Sequence, residues 1–343
     1  MPLAFAHLSG EHPILPFEEL RGSLEAEGVQ FRELLRLDQV AVLEVESLEG
    51  LSRAVRRSSF VKEGGELLAL ADVEDELALR EGVGRLASRR PASVQVRVDR
   101  LRGSMTPMEA VELQRRLISM IAGQGLKVDQ LSDTLVKAYV TEGALVLGLV
   151  TAKRSLGDTR ARSPPNRPFW RSGELDLLLS RAFVNMSRLR VGGGFLDPFC
   201  GTGTIAIEAA LIGASRPLCF DIDAQMVAGA RLNSLKVGVD LAIVQENSAQ
   251  FIPLPPDSVE SIATDPPYGR STRAPGGYEA LVRSFLKEAR RVLRPGGYVV
   301  YAGPSEERPY RIAAEEGLTV VARVDQFVHS ALTRQIVVAK KTA

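Results

Sequence analysis

The sequence predicts an α/β protein in which a doubly wound, mostly parallel sheet follows two small α+β units. Its 343 residues correspond to about two domains, or three small ones, at roughly 150 residues per domain. From residue 194 onward, short apolar runs, glycine-rich loops and helical segments alternate. This alternation is typical of parallel strands with helices on both faces of the sheet. Before residue 150, strands and helices alternate without such loops.

The first 150 residues predict a repeating order of strands and helices. Val94, Val96 and Val98 alternate along one face, as in a half-buried strand, and Pro107 opens a helix. The predicted elements are strand 3–8, helix 16–27, strand 40–45, helix 48–57, strand 66–71, helix 74–87, strand 93–98, helix 107–121 and a hairpin over 138–150. None of them carries a catalytic constellation, so these units are expected to be binding modules.

In the second half, the pattern changes to strand, glycine loop and helix. The predicted helices cover 175–189, 205–211, 226–235 and 278–293, and the predicted strands cover 195–196, 217–220, 241–244, 261–263 and 298–301. Ligands of doubly wound sheets bind at the carboxyl ends of the strands. We therefore expect the chemistry in the loops that follow these strands.

The composition excludes several classes of protein. Hydrophobic residues make up 45%, charged residues 25%, and the net charge is +1, which is ordinary for a globular chain and excludes collagen-like, coiled-coil and disordered classes. No apolar run approaches the ~18 residues of a membrane helix, and residues 1–10 lack a signal-peptide pattern. We expect a cytoplasmic protein. Cys200 and Cys219 are too few for a disulfide framework, and without clustered histidines they indicate no metal site.

The positive charge is concentrated in one stretch. Residues 151–190 carry 9 basic and 3 acidic side chains. Residues 151–172 mix these cations with prolines and the pair Phe169-Trp170, and they show no apolar periodicity. We interpret 151–172 as a basic linker, which is either a solvated connection or a strap that contacts phosphates.

A glycine loop follows the first strand of the second half. It reads Asp-Pro-Phe-Cys-Gly-Thr-Gly-Thr over 197–204. Its glycines let a ligand approach the backbone, and the next helix offers amide donors at its N-terminus. Asp221 ends the second strand 18 residues after Gly203, where an acid binds the ribose of an adenosine cofactor. Asp223 is either a second acid of this kind or the cap of the next helix. No third glycine follows, which favours S-adenosylmethionine over a nicotinamide cofactor.

A second motif, Thr-Asp-Pro-Pro-Tyr-Gly-Arg over 264–270, follows the fourth predicted strand. Two prolines remove two N–H groups and fix φ, so backbone carbonyls and the Asp265 carboxylate can act as acceptors. Acceptors suit an exocyclic amine, because hydrogen bonds from both of its hydrogens favour the pyramidal, nucleophilic form. Tyr268 is predicted to stack on the base. The alternative is a turn that only connects strand to loop.

Both motifs resemble those of class I S-adenosylmethionine-dependent methyltransferases that act on exocyclic amino nitrogens. Together with 9–12 (Ser-Gly-Glu-His), 167–170 (Arg-Pro-Phe-Trp), 221–223 (Asp-Ile-Asp) and 329–334 (His-Ser-Ala-Leu-Thr-Arg), they are similar to archaeal THUMP-domain tRNA guanosine-10 N2-methyltransferases. This resemblance implies transfer of one methyl group or two from S-adenosylmethionine to N2 of a guanosine in tRNA, most favourably guanosine 10.

The resemblance also implies a domain order and a partner. An N-terminal ferredoxin-like domain would cover 1–60, a THUMP RNA-binding domain 61–150, the linker 151–172, and a Rossmann-like methyltransferase domain 173–343. THUMP domains in such enzymes grip the 3′ end of the acceptor stem, so tRNA is the expected partner of a monomeric enzyme without a metal or a membrane attachment. Arg160, Arg162, Arg167 and Arg171 would contact the tRNA backbone.

The site residues are assigned from the motifs and the resemblance. The catalytic residues are Asp265, Pro266 and Tyr268. The cofactor-binding residues are Asp197, Cys200, Gly201, Thr202, Gly203, Thr204, Asp221, Ile222, Asn247, Ser248 and Ala249. The substrate-binding residues are Arg167, Phe169, Pro267, Gly269 and Arg270.

Two positions need a separate interpretation. Where the family often has an acid that holds the adenine amine, this chain places Ser248, or Asn247 one register earlier, and either side chain can still accept from that amine. Cys200 is interpreted as a small residue in a tight turn, since methylation of an exocyclic amine needs no covalent adduct.

Other functions remain open alternatives. One is an N2-guanine methyltransferase for another tRNA position or for rRNA. A DNA adenine N6-methyltransferase shares the Asp-Pro-Pro-Tyr motif, but residues 1–150 show no helix-turn-helix pattern for DNA recognition. A non-catalytic RNA-binding protein predicts a broken cofactor loop, whereas Gly201, Gly203, Asp221 and Asp265 are all present.

Overall fold

The computed structural model describes residues 1–164, 166–268 and 277–342. The chain divides into two compact units. The first comprises Met1–Leu20 and Glu27–Ser155, and the second Arg21–Ala26 and Leu156–Ala343. Among the described helices, none combines the length and the apolar character needed to cross a membrane.

The first unit contains a seven-stranded mixed sheet. Its strands are β1 (Leu3–Leu8), β2 (Phe31–Leu37), β3 (Val40–Val45), β4 (Val61–Asp72), β5 (Gln95–Arg100), β6 (Leu135–Thr141) and β7 (Ala144–Lys153). Their spatial order is β2-β3-β1-β4-β7-β6-β5, with only β5 and β6 parallel among the described pairs. The strands of the predicted N-terminal domain and those of the predicted THUMP domain therefore join one sheet through the β1–β4 pair, and the boundary near residue 60 stays a prediction.

Helices accompany this sheet where the sequence carries start signals. They are α1 (Leu15–Ala26), whose last residues belong to the second unit, α2 (Leu48–Arg57), α3 (Glu76–Ser88) and α4 (Pro107–Gly123). Ser47 caps α2 by accepting from the Gly50 amide at 3.2 Å, and Thr106 and Glu109 form a capping box at the start of α4. These caps satisfy amides that the helices leave unpaired.

The second unit contains the doubly wound sheet. Its strands are β8 (Phe195–Asp197), β9 (Leu218–Asp221), β10 (Ala242–Gln245), β11 (Val259–Thr264), β12 (Leu293–Pro304), β13 (Thr319–His329) and β14 (Leu332–Lys340). Its helices are α5 (Thr159–Arg162), α6 (Leu177–Met186), α7 (Thr204–Ile212), α8 (Ala224–Val237), α9 (Gly277–Val292) and α10 (Pro309–Glu315).

The strand order of this sheet is β10-β9-β8-β11-β12-β14-β13. The first five strands are parallel, and β14 runs antiparallel to both of its neighbours. The prediction of a mostly parallel, doubly wound sheet is confirmed. The carboxyl ends of β8, β9, β10 and β11 meet at one edge, which is where such sheets bind ligands.

The hairpin β13–β14 and the strand β2 were not predicted. Many side chains of β13 and β2 are exposed or half-buried, so neither strand shows the apolar alternation on which a sequence-based prediction depends. The hairpin matters for the site because the β12–β14 register places Arg334 opposite Pro304, at the carboxyl end of β12.

Candidate active site

A cavity of about 880 Å³ opens at the carboxyl edge of the parallel strands. It is formed by the loop after β8, the ends of β9 and β10, the turn after β11, one side of α9 and the segment 171–175. Its polar and loop residues include Asp197, Cys200, Gly201, Thr202, Thr204, Asp221, Ile222, Asn247, Ser248, Ala249, Asp265 and Pro267. The structure thus brings together every predicted cofactor residue except Gly203.

The glycine loop and Asp221 form one hydrogen-bonded unit. Gly201 and Gly203 have φ values of 51° and 85°, a region in which side chains with a Cβ are strained. This backbone turns the Gly201 amide toward Asp221 Oδ2 at 2.8 Å, while Asp221 Oδ1 accepts from the Asp223 amide at 2.8 Å. Burial raises the pKa of Asp221, and these two amides oppose the rise.

Asp223 caps α8. Its side chain accepts from the Gln225 amide at 2.8 Å, a local bond that satisfies one free donor at the helix start. Of the two roles that the sequence left open for Asp223, the structure shows the cap.

Asp197 is a buried carboxyl group with one unpaired oxygen. Its Oδ1 accepts from the Thr264 hydroxyl at 2.7 Å, whereas Oδ2 has no hydrogen-bond partner among the described residues. Burial raises the pKa of Asp197 to about 8, despite the hydrogen bonds from Thr264 and the Phe199 amide. Burial thus favours the protonated form of this carboxyl group.

Ser248 presents a second buried polar atom to the same cavity. Its hydroxyl oxygen is without a partner within the described part of the chain, and a buried polar group without a hydrogen bond is costly. A ligand that carries donors along its length would satisfy both Ser248 and Asp197. The residues present therefore fit S-adenosylmethionine, which has a ribose, an adenine amine and an ammonium group.

Cys200 and Cys219 form a disulfide, with Cα atoms 5.4 Å apart. This single pairing was not predicted from the sequence, in which two cysteines are too few for a disulfide framework. The loop after β8 folds over β9, where the Cys200 amide donates to the Phe220 carbonyl at 2.9 Å. This contact brings together sulfur atoms 19 positions apart in the sequence, and a cysteine count cannot show such proximity. In this state Cys200 is not a free thiol, in agreement with its interpretation as a non-nucleophilic residue.

The turn after β11 places Asp265 on the cavity wall beside Pro267. The Tyr268 hydroxyl donates to Asp265 Oδ1 and accepts from Arg334 Nε at 3.0 Å. Burial raises the pKa of Asp265, and the Arg334 charge and the Tyr268 hydrogen bond oppose the rise. The roles of Pro266 as an acceptor and of Tyr268 as a stacking platform stay predictions. The predicted substrate residues Gly269 and Arg270 lie outside the described residues.

The predicted substrate residues of the linker are held by the second unit. Arg167 is buried, donates to the Thr204 hydroxyl at 2.6 Å and pairs with Glu174. The Phe169 amide donates to Asn233 Oδ1 at 3.1 Å. These bonds attach the segment 167–170 to the glycine loop and to α8, and contact with RNA stays a prediction for both residues.

Arg162 pairs with Glu208 at 2.7 Å and is buried. Arg181 approaches the same carboxylate at 2.8 Å. The role predicted for Arg162 on the tRNA backbone is therefore unsupported, because its guanidinium is engaged inside the protein. Sequence reasoning missed Glu208, Glu174 and Asn233, since each acts through a tertiary contact that no local motif announces, and it quoted Arg334 within the 329–334 motif without assigning it a role.

A doubly wound sheet, a glycine loop joined to an acid at the end of the second strand, and an Asp-Pro-Pro-Tyr turn on the same cavity define a class I methyltransferase. A family model described as "RMKL-like, methyltransferase domain" matches residues 164–336. The tRNA (guanine(10)-N2)-dimethyltransferase of Methanothermobacter thermautotrophicus is 32% identical over 97% of this chain and 98% of its own length. The chain belongs to the family of these archaeal methyltransferases.

Two further comparisons extend this result. The tRNA (guanine(6)-N2)-methyltransferase of Thermus thermophilus is 30% identical over 59% of this chain and 60% of its own length. Among solved structures, TrmN from Thermus thermophilus covers 99% of both chains with a TM-score of 0.52 and 20% identity. At this identity the structural likeness supports the fold alone.

Proposed function

We propose that this protein transfers a methyl group from S-adenosylmethionine to the exocyclic N2 of a guanosine in tRNA, and that guanosine 10 is its target. The observation that carries the proposal is the half-buried Asp265 carboxylate on the wall of the cavity that also holds Asp221 and the glycine loop. An acceptor at this place suits an amine with two hydrogens. The relative with the widest coverage described above is named for guanosine 10.

The cofactor is held by residues that the cavity brings together. Asp221 accepts from the ribose hydroxyls, and Ser248, or Asn247 beside it, accepts from the adenine amine. Asp197 Oδ2 accepts from the ammonium group, which satisfies the oxygen that the protein leaves unpaired. When bound, S-adenosylmethionine supplies an electrophilic methyl group on a sulfonium.

The substrate amine is held and deprotonated by the turn after β11. The guanine is exposed by local unstacking, and Asp265 with the Pro266 carbonyl accepts the two N2 hydrogens. The N2 lone pair forms the new N–C bond as the methyl C–S bond breaks, and the resulting cationic nitrogen loses one proton to Asp265. Most of the acceleration comes from holding the two reactants in line.

The first unit supplies the remaining recognition in this proposal. As the THUMP-containing part of a monomeric cytoplasmic enzyme, it grips the acceptor end of tRNA. The support is the wide coverage of the archaeal relative, which spans both units of this chain.

A direct assay tests the proposal. The protein is incubated with S-adenosylmethionine and an unmodified tRNA transcript, and methylated nucleosides are located by mass spectrometry after digestion. We expect N2-methylguanosine or its N2,N2-dimethyl form at position 10, and loss of the product when guanosine 10 alone is replaced. A second transcript with guanosine 6 replaced is the matched control, because a Thermus relative is named for that position. Cofactor binding without any methylated guanosine in tRNA would contradict the proposal.

A further inference from the structure

Arg334, Tyr268 and Asp265 form a hydrogen-bonded chain that ends in the cavity. Arg334 Nε donates to the Tyr268 hydroxyl at 3.0 Å, and this hydroxyl donates its own proton to Asp265 Oδ1. Asp265 lines the cavity, whereas Tyr268 and Arg334 do not. The phenol is therefore a bridge between a buried cation and the carboxylate that faces the substrate.

The Tyr268 ring packs into the interior of the second unit. It lies edge-on to Tyr278, with ring centroids 6.2 Å apart and an interplanar angle of 74°, and it packs against the core cluster that includes Val282 and Phe285. Its hydroxyl reaches Asp265 on the cavity wall.

Arg334 is anchored for this contact by the hairpin β13–β14. Its Nη1 donates to Gln326 Oε1 at 3.1 Å, across the β13–β14 ladder, and the residue is only 9% exposed. A guanidinium so removed from water needs a facing negative charge. The acidic groups that act on Arg334 are Asp265 and Asp176, and Asp265 is the one that Tyr268 connects to it.

We propose that Tyr268 and Arg334 are positioning residues for the methyl transfer, and that they act by holding the Asp265 carboxylate. Tyr268 occupies Oδ1, which leaves Oδ2 for the substrate amine, and Arg334 holds the phenol in place while its charge favours the ionised carboxylate. This inference rests on the proposed function, since it assigns Tyr268 a further role in the same reaction. It adds the orientation of Asp265 by the Tyr268 hydroxyl to the predicted stacking of the Tyr268 ring.

The hydrogen bonds that connect Arg334, Tyr268 and Asp265 make the rate of methyl transfer depend on pH. The charged and titratable groups that face Asp265 are Asp197 on β8, Tyr268 in its own turn, Tyr278 on α9 and Arg334 on β14. Arg334 provides the positive charge in this set. Its removal raises the pKa of Asp265 further, so the acidic limb of the rate profile moves to higher pH.

The hydroxyl can be removed without the ring. In Tyr268→Phe the stacking surface is retained, so a stacking role predicts nearly unchanged turnover, whereas a positioning role predicts a loss in kcat of about 10- to 100-fold, as for lost supporting partners of metal ligands. Tyr310→Phe is the matched control, because the Tyr310 hydroxyl accepts from Arg311 at 3.2 Å outside the cavity. Full activity of Tyr268→Phe would overturn the proposal.

Arg334 variants test the coupling. Arg334→Gln should lower kcat and move the acidic limb of the rate profile to higher pH, and Arg334→Lys should recover part of the loss in kcat. The Tyr268→Phe/Arg334→Gln double variant should have a kcat little lower than that of Arg334→Gln alone, because both residues act through one contact. The proposal would be contradicted if the losses in kcat of the two single variants multiplied in the double variant, or if the pH profile of Arg334→Gln did not differ from that of the wild type. The dissociation constant for S-adenosylmethionine and the melting temperature show whether each variant is folded.

A measurement without turnover separates this inference from the proposed function. The Asp265 carboxyl titration is followed by infrared difference spectroscopy, with Asp265→Asn as the reference. Arg334→Gln should move it to higher pH, and an unchanged titration would overturn the positioning role. If the wild-type chain shows this titration but methylates no tRNA, the proposed substrate fails and the carboxylate arrangement stands.

Discussion

Each unit of the protein buries a group of acidic side chains, and the two groups differ in what faces them. In the first unit, Lys137 Nζ lies 2.5 Å from Glu63 and 2.6 Å from Asp99, and His7 Nδ1 lies 3.3 Å from Glu63. In the second unit, Asp197 Oδ2 has no partner in the described chain. Similar residues are thus internally paired in one unit and left open to a cavity in the other.

The pKa values move in opposite directions as a result. Burial alone would raise the pKa of Glu63, but the hydrogen bonds from His7 and Lys137 and the Lys137 charge lower it to about 2. Burial raises the pKa of Asp197 to about 8, and the hydrogen bonds from Thr264 and the Phe199 amide do not reverse the rise. A carboxylate that is both buried and unpaired beside a cavity is a candidate for ligand binding.

The paired group also shows why geometry alone does not define a metal site. His7, Glu63 and Asp99 offer ligand atoms within 4.8 Å of one another. The Lys137 ammonium lies between the two carboxylates and already supplies a positive charge. We therefore interpret this group as an ion-pair cluster that stabilises the first unit, and the second group as the functional one.

The largest expected effect separates activity from stability at Asp265. Asp265→Ala should lower methyl transfer by about 10²- to 10⁴-fold, the usual contribution of a positioned acid or base, and leave the cofactor dissociation constant nearly unchanged. The variant removes a carboxyl whose pKa is raised by burial, but it also takes the facing charge from the buried Arg334 guanidinium, so the melting temperature is measured to separate lost activity from lost stability. Retained turnover would contradict the catalytic assignment. Asp265→Asn retains an acceptor but cannot receive the proton, so it should also be impaired.

At Lys137 we expect an effect on stability rather than on activity. Lys137→Met leaves Glu63 and Asp99 without their cation, and breaking a buried pair costs about 3–5 kcal/mol. Urea unfolding monitored by circular dichroism measures this cost. Lys127→Met is the matched control, since Lys127 is 72% exposed beside Asp129 and its loss should cost less than about 1 kcal/mol. Equal stability of the two variants would remove the contrast between the paired and the open group.

The local part of this contrast could be predicted from the sequence. The bounds of β1, β3 and α2 agree with the prediction residue for residue, because their apolar patterns and start signals are local. Asp221 and Asp265 were assigned from motifs in which the acid follows a strand directly.

The other half of the contrast depends on contacts between distant segments. Nothing near Lys137 in the sequence announces Glu63, 74 positions away, and nothing near Arg334 announces Tyr268, 66 positions away. The disulfide escaped prediction for the same reason. Which buried charge is paired is decided by strand order, and a strand order with β14 between β12 and β13 cannot be read from periodicity.

A smaller effect is expected at the ribose end of the cavity. Asp221→Ala should raise the dissociation constant for S-adenosylmethionine about 10- to 100-fold, since hydrogen bonds to a charged group contribute about 1.5–3 kcal/mol. Isothermal titration calorimetry measures it. Asp223→Ala is the matched control, because Asp223 caps α8 and its loss should cost about 1 kcal/mol of stability without weakening the cofactor. An unchanged constant in Asp221→Ala would contradict the ribose assignment.

A further expected effect is the pH dependence that Asp197 adds. Because the pKa of Asp197 is about 8 in the folded chain and about 4 when unfolded, the folded state binds this proton more tightly. The stabilisation is complete below about pH 4 and is lost as the pH rises toward 8. Asp197→Asn is neutral throughout, so its melting temperature relative to wild type should increase over this range and then stay level.

Cofactor binding should show the opposite dependence, because the ammonium group needs an ionised Asp197. The affinity of the wild type for S-adenosylmethionine should increase as the pH rises toward 8, whereas Asp197→Asn should bind weakly without this increase. Calorimetry measures both affinities below the pH at which the cofactor amine itself loses its proton. If the wild-type and Asp197→Asn melting temperatures run parallel across the range, Asp197 is already ionised like Glu63. The buried charge of the second unit would then be stabilised as well as the paired charges of the first unit.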